Sequence, residues 1–413
     1  MTLRIDPEQR FTCHSCARCC RRWEVLVTAA ERDAYAKRGV ARWFRDTGSD
    51  SEGTDGDPFE AVRGWRGYYR IRTRADGACG FLSSGERCRI HEELGAAAKP
   101  LTCRMFPFKF HPTAGGVTVT ASFGCPTIVA NRGELVSSGP ERRWLETTYT
   151  DVAAAFRRPI AKSREFVAGR SIDTASVHII REALLRMLIR ADEGAIDLSA
   201  NVQRIARLLD DLSRRRVVNL RDEDFAEYIK LTAPYAASST NPVAPVPPGR
   251  IGRLMQFGFL YLVAATRYGI DHRGDSPWSI RLGRLRLLAH FHRLAPPTDR
   301  VDVRALKRRV DLNAPEIQPV AYHYLRASIE ALGARQRPVL EDFAIAVSCL
   351  NAAGALAIMN AHAAGQPVDR QTFSEALMES VDVLHADDRG LLGWALPRLA
   401  AQVEALNVLS AST

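Results

Sequence analysis

The sequence predicts an α+β chain: a small cysteine-rich α+β domain over residues 1–130, then a mostly α-helical domain over 131–413. Three observations carry this. Eight of the nine cysteines fall at or before Cys125, and everything after it holds only Cys349. Short apolar runs separated by turn residues fill the first third, as in small sheets. Beyond it, apolar residues recur at i, i+3, i+4, the period of a helix with one buried face. At 413 residues the chain also exceeds the roughly 250–300 residues at which single cores stop growing.

The elements follow in order. The stretch Phe11–Arg22 places Cys13, Cys16, Cys19 and Cys20 within eight residues. Trp23–Val27 then reads as a short strand. Thr28 with Glu31 three residues on is a capping box, which opens a helix of about ten residues ending near Gly39. The run 47–57 is a polar surface loop, and Tyr68–Thr73 is a second strand. The segments around Cys79 and Cys88 form the arms of a hairpin, and a short helix runs from His91 to about Ala98. Cys103 follows. Lys109–His111 and Val117–Ala121 flank a Pro/Gly turn and form a plain hairpin. Cys125-Pro126 closes the cysteine-bearing part.

Ten helices are predicted next: 141–157, 177–191, 202–216, 224–235, 251–268, 279–294, 317–334, 340–361, 370–385 and 390–408. Within the second, Val177, Ile180, Leu184 and Leu188 mark the buried stripe. Residues 238–249 are Pro-rich and aperiodic, and read as an internal linker.

Charge narrows the range of partners. The net charge is +10, but only six residues are lysine, and the basic residues are interleaved with acids. Arg214–Arg216 and Lys307–Arg309 read as solvated helix faces, so no nucleic-acid partner is expected. Phe343–Pro367 lacks any formally charged side chain and is long enough to cross a bilayer. Its Ser348, Asn351, Gly354, Asn360 and His362 instead predict a buried central helix and no membrane span.

The N-terminal residues carry no apolar signal region, so a cytoplasmic, reducing location is expected. In that setting closely spaced thiols favour metal binding or catalysis over disulfides. Cys13, Cys16 and Cys19 have the spacing of the three-thiolate run that holds most of a [4Fe–4S] cube. Cys125 is then the remote fourth ligand, and Cys20 points elsewhere. A zinc reading uses Cys13 and Cys16 as half a knuckle, with Cys79/Cys88 or Cys103/Cys125 as the other half. Eight thiolates also suffice for two four-cysteine sites. His14 and His91 could replace a thiol, and a structural zinc module serving protein interaction uses the same residues. Cys349 reads as a small buried hydrophobe. Nucleotide-binding Gly-rich loops and the hydrolase and zincin motifs are absent.

The marks in order are Cys13, Cys16, Cys19 and Cys20; Cys79-Gly80-Phe81-Leu82; Cys88 with Ile90; Pro100, Cys103, Arg104, Phe106 and Pro107; and Cys125-Pro126. Over about residues 11–128 this order resembles the cysteine-cluster family with a zinc- or iron-chelating domain, which includes flagellin lysine-N-methylase. The resemblance implies a cytoplasmic protein holding a [4Fe–4S] cluster or Zn2+. For the methylase branch it implies methyl transfer from S-adenosylmethionine to lysines of a protein substrate.

Overall fold

A computed structural model describes residues 2–45, 57–113, 116–155, 163–167, 170–189, 191–192, 195–214, 224–225, 227–232, 265, 276–291, 310–335 and 337–386. It is α+β, with small sheets near the N-terminus and helices dominating thereafter. The expected linker at 238–249 and helices at 251–268 and 390–408 lie outside the described residues, apart from Ala265.

The N-terminal part contains β1 (Leu3–Arg4), β2 (Arg10–Phe11), α1 (Arg18–Arg22), β3 (Leu26–Thr28), α2 (Ala29–Lys37), α3 (Ala41–Arg45), β4 (Phe59–Ala61) and β5 (Tyr68–Ile71). It continues through α4 (Arg89–Leu94), α5 (Leu101–Met105), β6 (Phe108–Thr113), β7 (Gly116–Ala121), α6 (Pro126–Val129) and β8 (Glu134–Leu135). Strand β5 lies between β3 and β4, antiparallel to both, with Leu26 opposite Arg70 and Phe59 opposite Ile71. The hairpin β6–β7 pairs Phe108 with Ala121, and β1 adds in parallel with Leu3 opposite Val117. Strands β2 and β8 pair separately.

The predicted capping box forms. The Thr28 side chain accepts from the Glu31 N–H at 3.2 Å, and Glu31 Oε2 accepts from the Thr28 N–H at 2.8 Å. Glu31 also accepts from the Leu101 N–H through Oε1 at 2.7 Å, which fixes the start of α5. Gly39, at φ +65°, ends the segment after α2 in the left-handed conformation that glycine adopts without penalty.

Later elements are α7 (Pro140–Ala155), the hairpin β9 (Ser163–Val167) and β10 (Arg170–Asp173), α8 (Thr174–Leu188), the short pair β11 (Ala191–Asp192) and β12 (Ala195–Ile196), and α9 (Leu198–Arg214). They continue with α10 (Pro277–Phe291), α11 (Gln318–Glu330), α12 (Val339–Ala363) and α13 (Arg370–Ala386). The two short strand pairs are additions to a region where helical periodicity masks β-pairing. Helix α12 is the central helix. It is apolar enough to cross a membrane, yet 83% of its most apolar window is buried inside the protein.

Two apolar cores result. A small one gathers Val27, Tyr35, Trp43, Phe44, Phe59, Ile71, Phe81 and Ile90 around β3–β5–β4, with Cys79 inside it. The large one runs from Leu3, Phe108, Val119 and Cys125 through α8, α9 and α11 to Val381. The hairpin β6–β7 thus packs with the helices. Arg326 on α11 secures this arrangement, pairing in the interior with Asp6 at 3.1 Å.

His323 on α11 is buried, with Nε2 3.0 Å from the Ile128 carbonyl and its ring against Phe123. A carbonyl only accepts, so Nε2 carries the proton in the neutral ring. Burial pushes this histidine down to about 4, with Asp6 and the Ile128 hydrogen bond opposing. Between pH 6.5 and 4 the unfolded chain binds a proton that the folded chain refuses, so stability falls as pH drops through that window. By pH 5 the loss is about 2 kcal/mol. His323→Gln keeps an N–H donor and is expected to remove this component when urea unfolding is compared at pH 7 and pH 5.

Candidate metal centre

Four of the eight N-terminal cysteines gather at the small core, and Cys125 lies in the large one. Cys20, Cys79, Cys88 and Cys103 all border the small core, Cys79 within it and the other three packed on its edge. Each comes from a different local structure. Cys20 lies on α1, and Cys79 sits in a turn whose N–H donates to the Cys20 carbonyl at 2.7 Å. Leu82 bridges to Cys88, which opens α4 as its N-cap residue. Cys103 is on α5, held by Glu31 at one end and by Thr102 Oγ1 donating to the Leu26 carbonyl at 2.9 Å. Cys19 joins this group, its Sγ 3.9 Å from that of Cys20.

Burial decides the acid–base character of this set. It pushes the Cys79 thiol up to about 12, and the neighbouring Cys88 and Cys19 charges add to the shift. Cys103 is raised well above the ordinary thiol value, first by burial and then by Cys79. The contact between the Cys19 and Cys20 thiols lowers Cys19 and raises Cys20. Lys99 adds a favourable positive charge toward both Cys19 and Cys103. Burial and mutual charge hold Cys79 and Cys103 as thiols, and a bound cation would favour their thiolates. Their donor chemistry fits a thiophilic ion such as zinc or iron. Among the described residues no three Cys, His, Asp or Glu side chains converge on a common point.

The other group lies at the edge of the large core. Cys13 and Cys16 are exposed and Cys125 is buried. Two hydrogen bonds bracket the approach of Cys16 to Cys125. Thr127 Oγ1 lies 3.0 Å from His14 Nδ1, and Arg18 Nε donates to the Gly124 carbonyl at 3.1 Å. Ser15 and Ala17, on either side of Cys16, have φ of 55° and 54°. Left-handed backbone at non-glycine residues stores strain of about 1–3 kcal/mol each and concentrates at functional loops. Burial pushes Cys125 up to about 11, the Thr127 and Ile128 hydrogen bonds opposing, with Cys16 contributing a smaller increase.

The sequence-predicted residues are therefore placed in two neighbourhoods. Cys125 lies near enough to Cys16 for that thiol's charge to raise it slightly. Cys19 stands with Cys20 beside Cys79 and Cys103. His14 is engaged by Thr127, and His91 is exposed on α4. Cys349 is fully buried within α12.

Sequence reasoning missed the partners of the α1 arginines. Arg18 Nη2 lies 3.3 Å from Asp382 Oδ2, and Arg22 lies 3.9 Å from Asp382 and 4.0 Å from Glu379. All four side chains are at most one-fifth exposed. The only available signal was the basic flank of the double cysteine, Arg18-Cys19-Cys20-Arg21-Arg22, which needs acids if it packs inward.

Comparison with known proteins finds one family model, CxxCxxCC, described as "Putative zinc- or iron-chelating domain", matching residues 12–125. No curated protein and no solved structure matches the chain. The matched segment begins beside Cys13 and ends on Cys125, spanning both thiol groups, so residues 12–125 match the model of this cysteine-cluster family.

Proposed function

We propose that this chain binds a thiolate-held zinc or iron centre through Cys20, Cys79, Cys88 and Cys103. The observation that carries this reading is the packing of four cysteines, drawn from four separate segments, against one small buried core. A closed four-thiolate arrangement is the usual form of a structural site, and it contributes folding energy directly. The bound ion supplies the positive charge that lets the buried thiols ionise. The chain's own residues do the rest. Glu31 fixes α5 and thereby Cys103, the Cys79 turn is tied to Cys20, and Lys99 offsets thiolate charge. A cube built on Cys13, Cys16 and Cys19 would require Cys19 to leave its partner Cys20 and rejoin Cys16. Either set separates this pair, since Cys20 as a thiolate ligand gives up the same contact.

Metal analysis of the full chain, purified without oxygen and freed of loose metal, tests this. One tightly held equivalent of zinc in a colourless protein, or iron with thiolate-to-iron absorbance, is expected. A folded chain holding neither metal contradicts it.

A further inference from the structure

Helix α1 has only five residues and no side-chain N-cap, so it cannot set its own direction. Its arginines Arg18 and Arg22 are four apart and share one face. That face meets Glu379 and Asp382 on α13, more than 350 residues away in sequence. The approach is close. A Cβ on Gly124 would lie 2.3 Å from Asp382 Oδ1 and 2.9 Å from the Trp23 ring, so the glycine leaves room for the carboxylate. With the arginine face pinned to α13, Cys19 and Cys20 are held toward Cys79 and Cys103.

We infer that Glu379 and Asp382 are positioning residues for the metal centre: they orient α1, and through it Cys20, from the helical part of the chain. The inference rests on the metal reading above. Residues outside the ligand set commonly change metal affinity 10–100-fold because they fix ligand orientation. Here the acids touch no thiol; their effect passes through the two guanidinium groups. Docking of α13 and retention of the ion then become linked.

The test uses the full chain loaded with zinc, and follows zinc release to a chromogenic chelator. Glu379→Gln combined with Asp382→Asn is expected to release zinc about tenfold faster than wild type. Glu330→Gln serves as the matched control. It removes the charge of a partly buried acid paired with Arg4 and Arg181, remote in sequence from the cysteines. It should weaken folding while leaving zinc release near the wild-type rate. If the double variant releases zinc at the rate of the Glu330→Gln control, the positioning role is overturned while the metal reading stands. A wild-type chain that takes up no zinc and no iron overturns both.

Discussion

Cys79→Ser is expected to abolish metal retention and unfold the small N-terminal core. Cys79 is 8% exposed, and its neighbours Cys20, Cys88 and Cys103 border the same apolar cluster. A hydroxyl is a poor ligand for a thiophilic ion, so three thiolates would remain without the charge balance that justifies burying them. Structural zinc contributes apparent binding energy of about 10–16 kcal/mol in small zinc-dependent folds, and much of that is folding energy. Loss of one ligand therefore far exceeds the typical cost of a core substitution. Metal content and limited proteolysis should show a metal-free chain cut within residues 12–105 while the α8–α9–α11–α12 helices resist. The same substitution at Cys349 should leave metal content unchanged, since that thiol lies in the central helix.

The second large effect is steric. Gly80 follows Cys79, and a Cβ there would lie 1.9 Å from Phe44 Cε2 and 2.8 Å from the Arg72 carbonyl oxygen. The carbonyl is backbone, and it accepts the Gly80 N–H at 3.0 Å, so it cannot retreat without breaking the turn. Phe44 is itself buried against Phe81. Gly80→Ala is expected to cost about 3 kcal/mol or more, at the upper end of overpacking effects, and to displace Cys79. Gly39→Ala is the comparison. Nothing stands within 4 Å of its Cβ position, so its cost should be about 1 kcal/mol, from the left-handed φ alone. Urea unfolding of both variants separates the two contributions. Equal destabilisation would mean that the contact at Phe44 and Arg72 is not close.

What the sequence made legible follows from how local each signal is. The capping box at Thr28 and Glu31 is a four-residue pattern with its own hydrogen bonds, and it forms as expected. The β6–β7 hairpin and the central helix α12 are likewise readable from turn residues and from an uncharged apolar run. The short pair β2–β8 is not readable, because it joins two-residue strands more than 120 residues apart. The cysteine marks identify the metal-binding segment, yet their grouping is a tertiary property. Spacing groups Cys19 with Cys13 and Cys16, and in the fold its Sγ lies 3.9 Å from that of Cys20. The acids at Glu379 and Asp382 lie in an ordinary helix, and only folding brings them to the arginines that flank the cysteines.

The assignment of the metal to the cysteines around the small core is tested most directly by thiol alkylation read out by mass spectrometry, on the metal-loaded chain and after chelation. Cys20, Cys79, Cys88 and Cys103 are expected to be protected when loaded and labelled once the metal is removed. Cys13 and Cys16, both exposed, should react in either state, and fully buried Cys349 in neither. Metal-dependent protection of Cys13, Cys16 and Cys125, with the other four labelled equally in both states, would contradict the account.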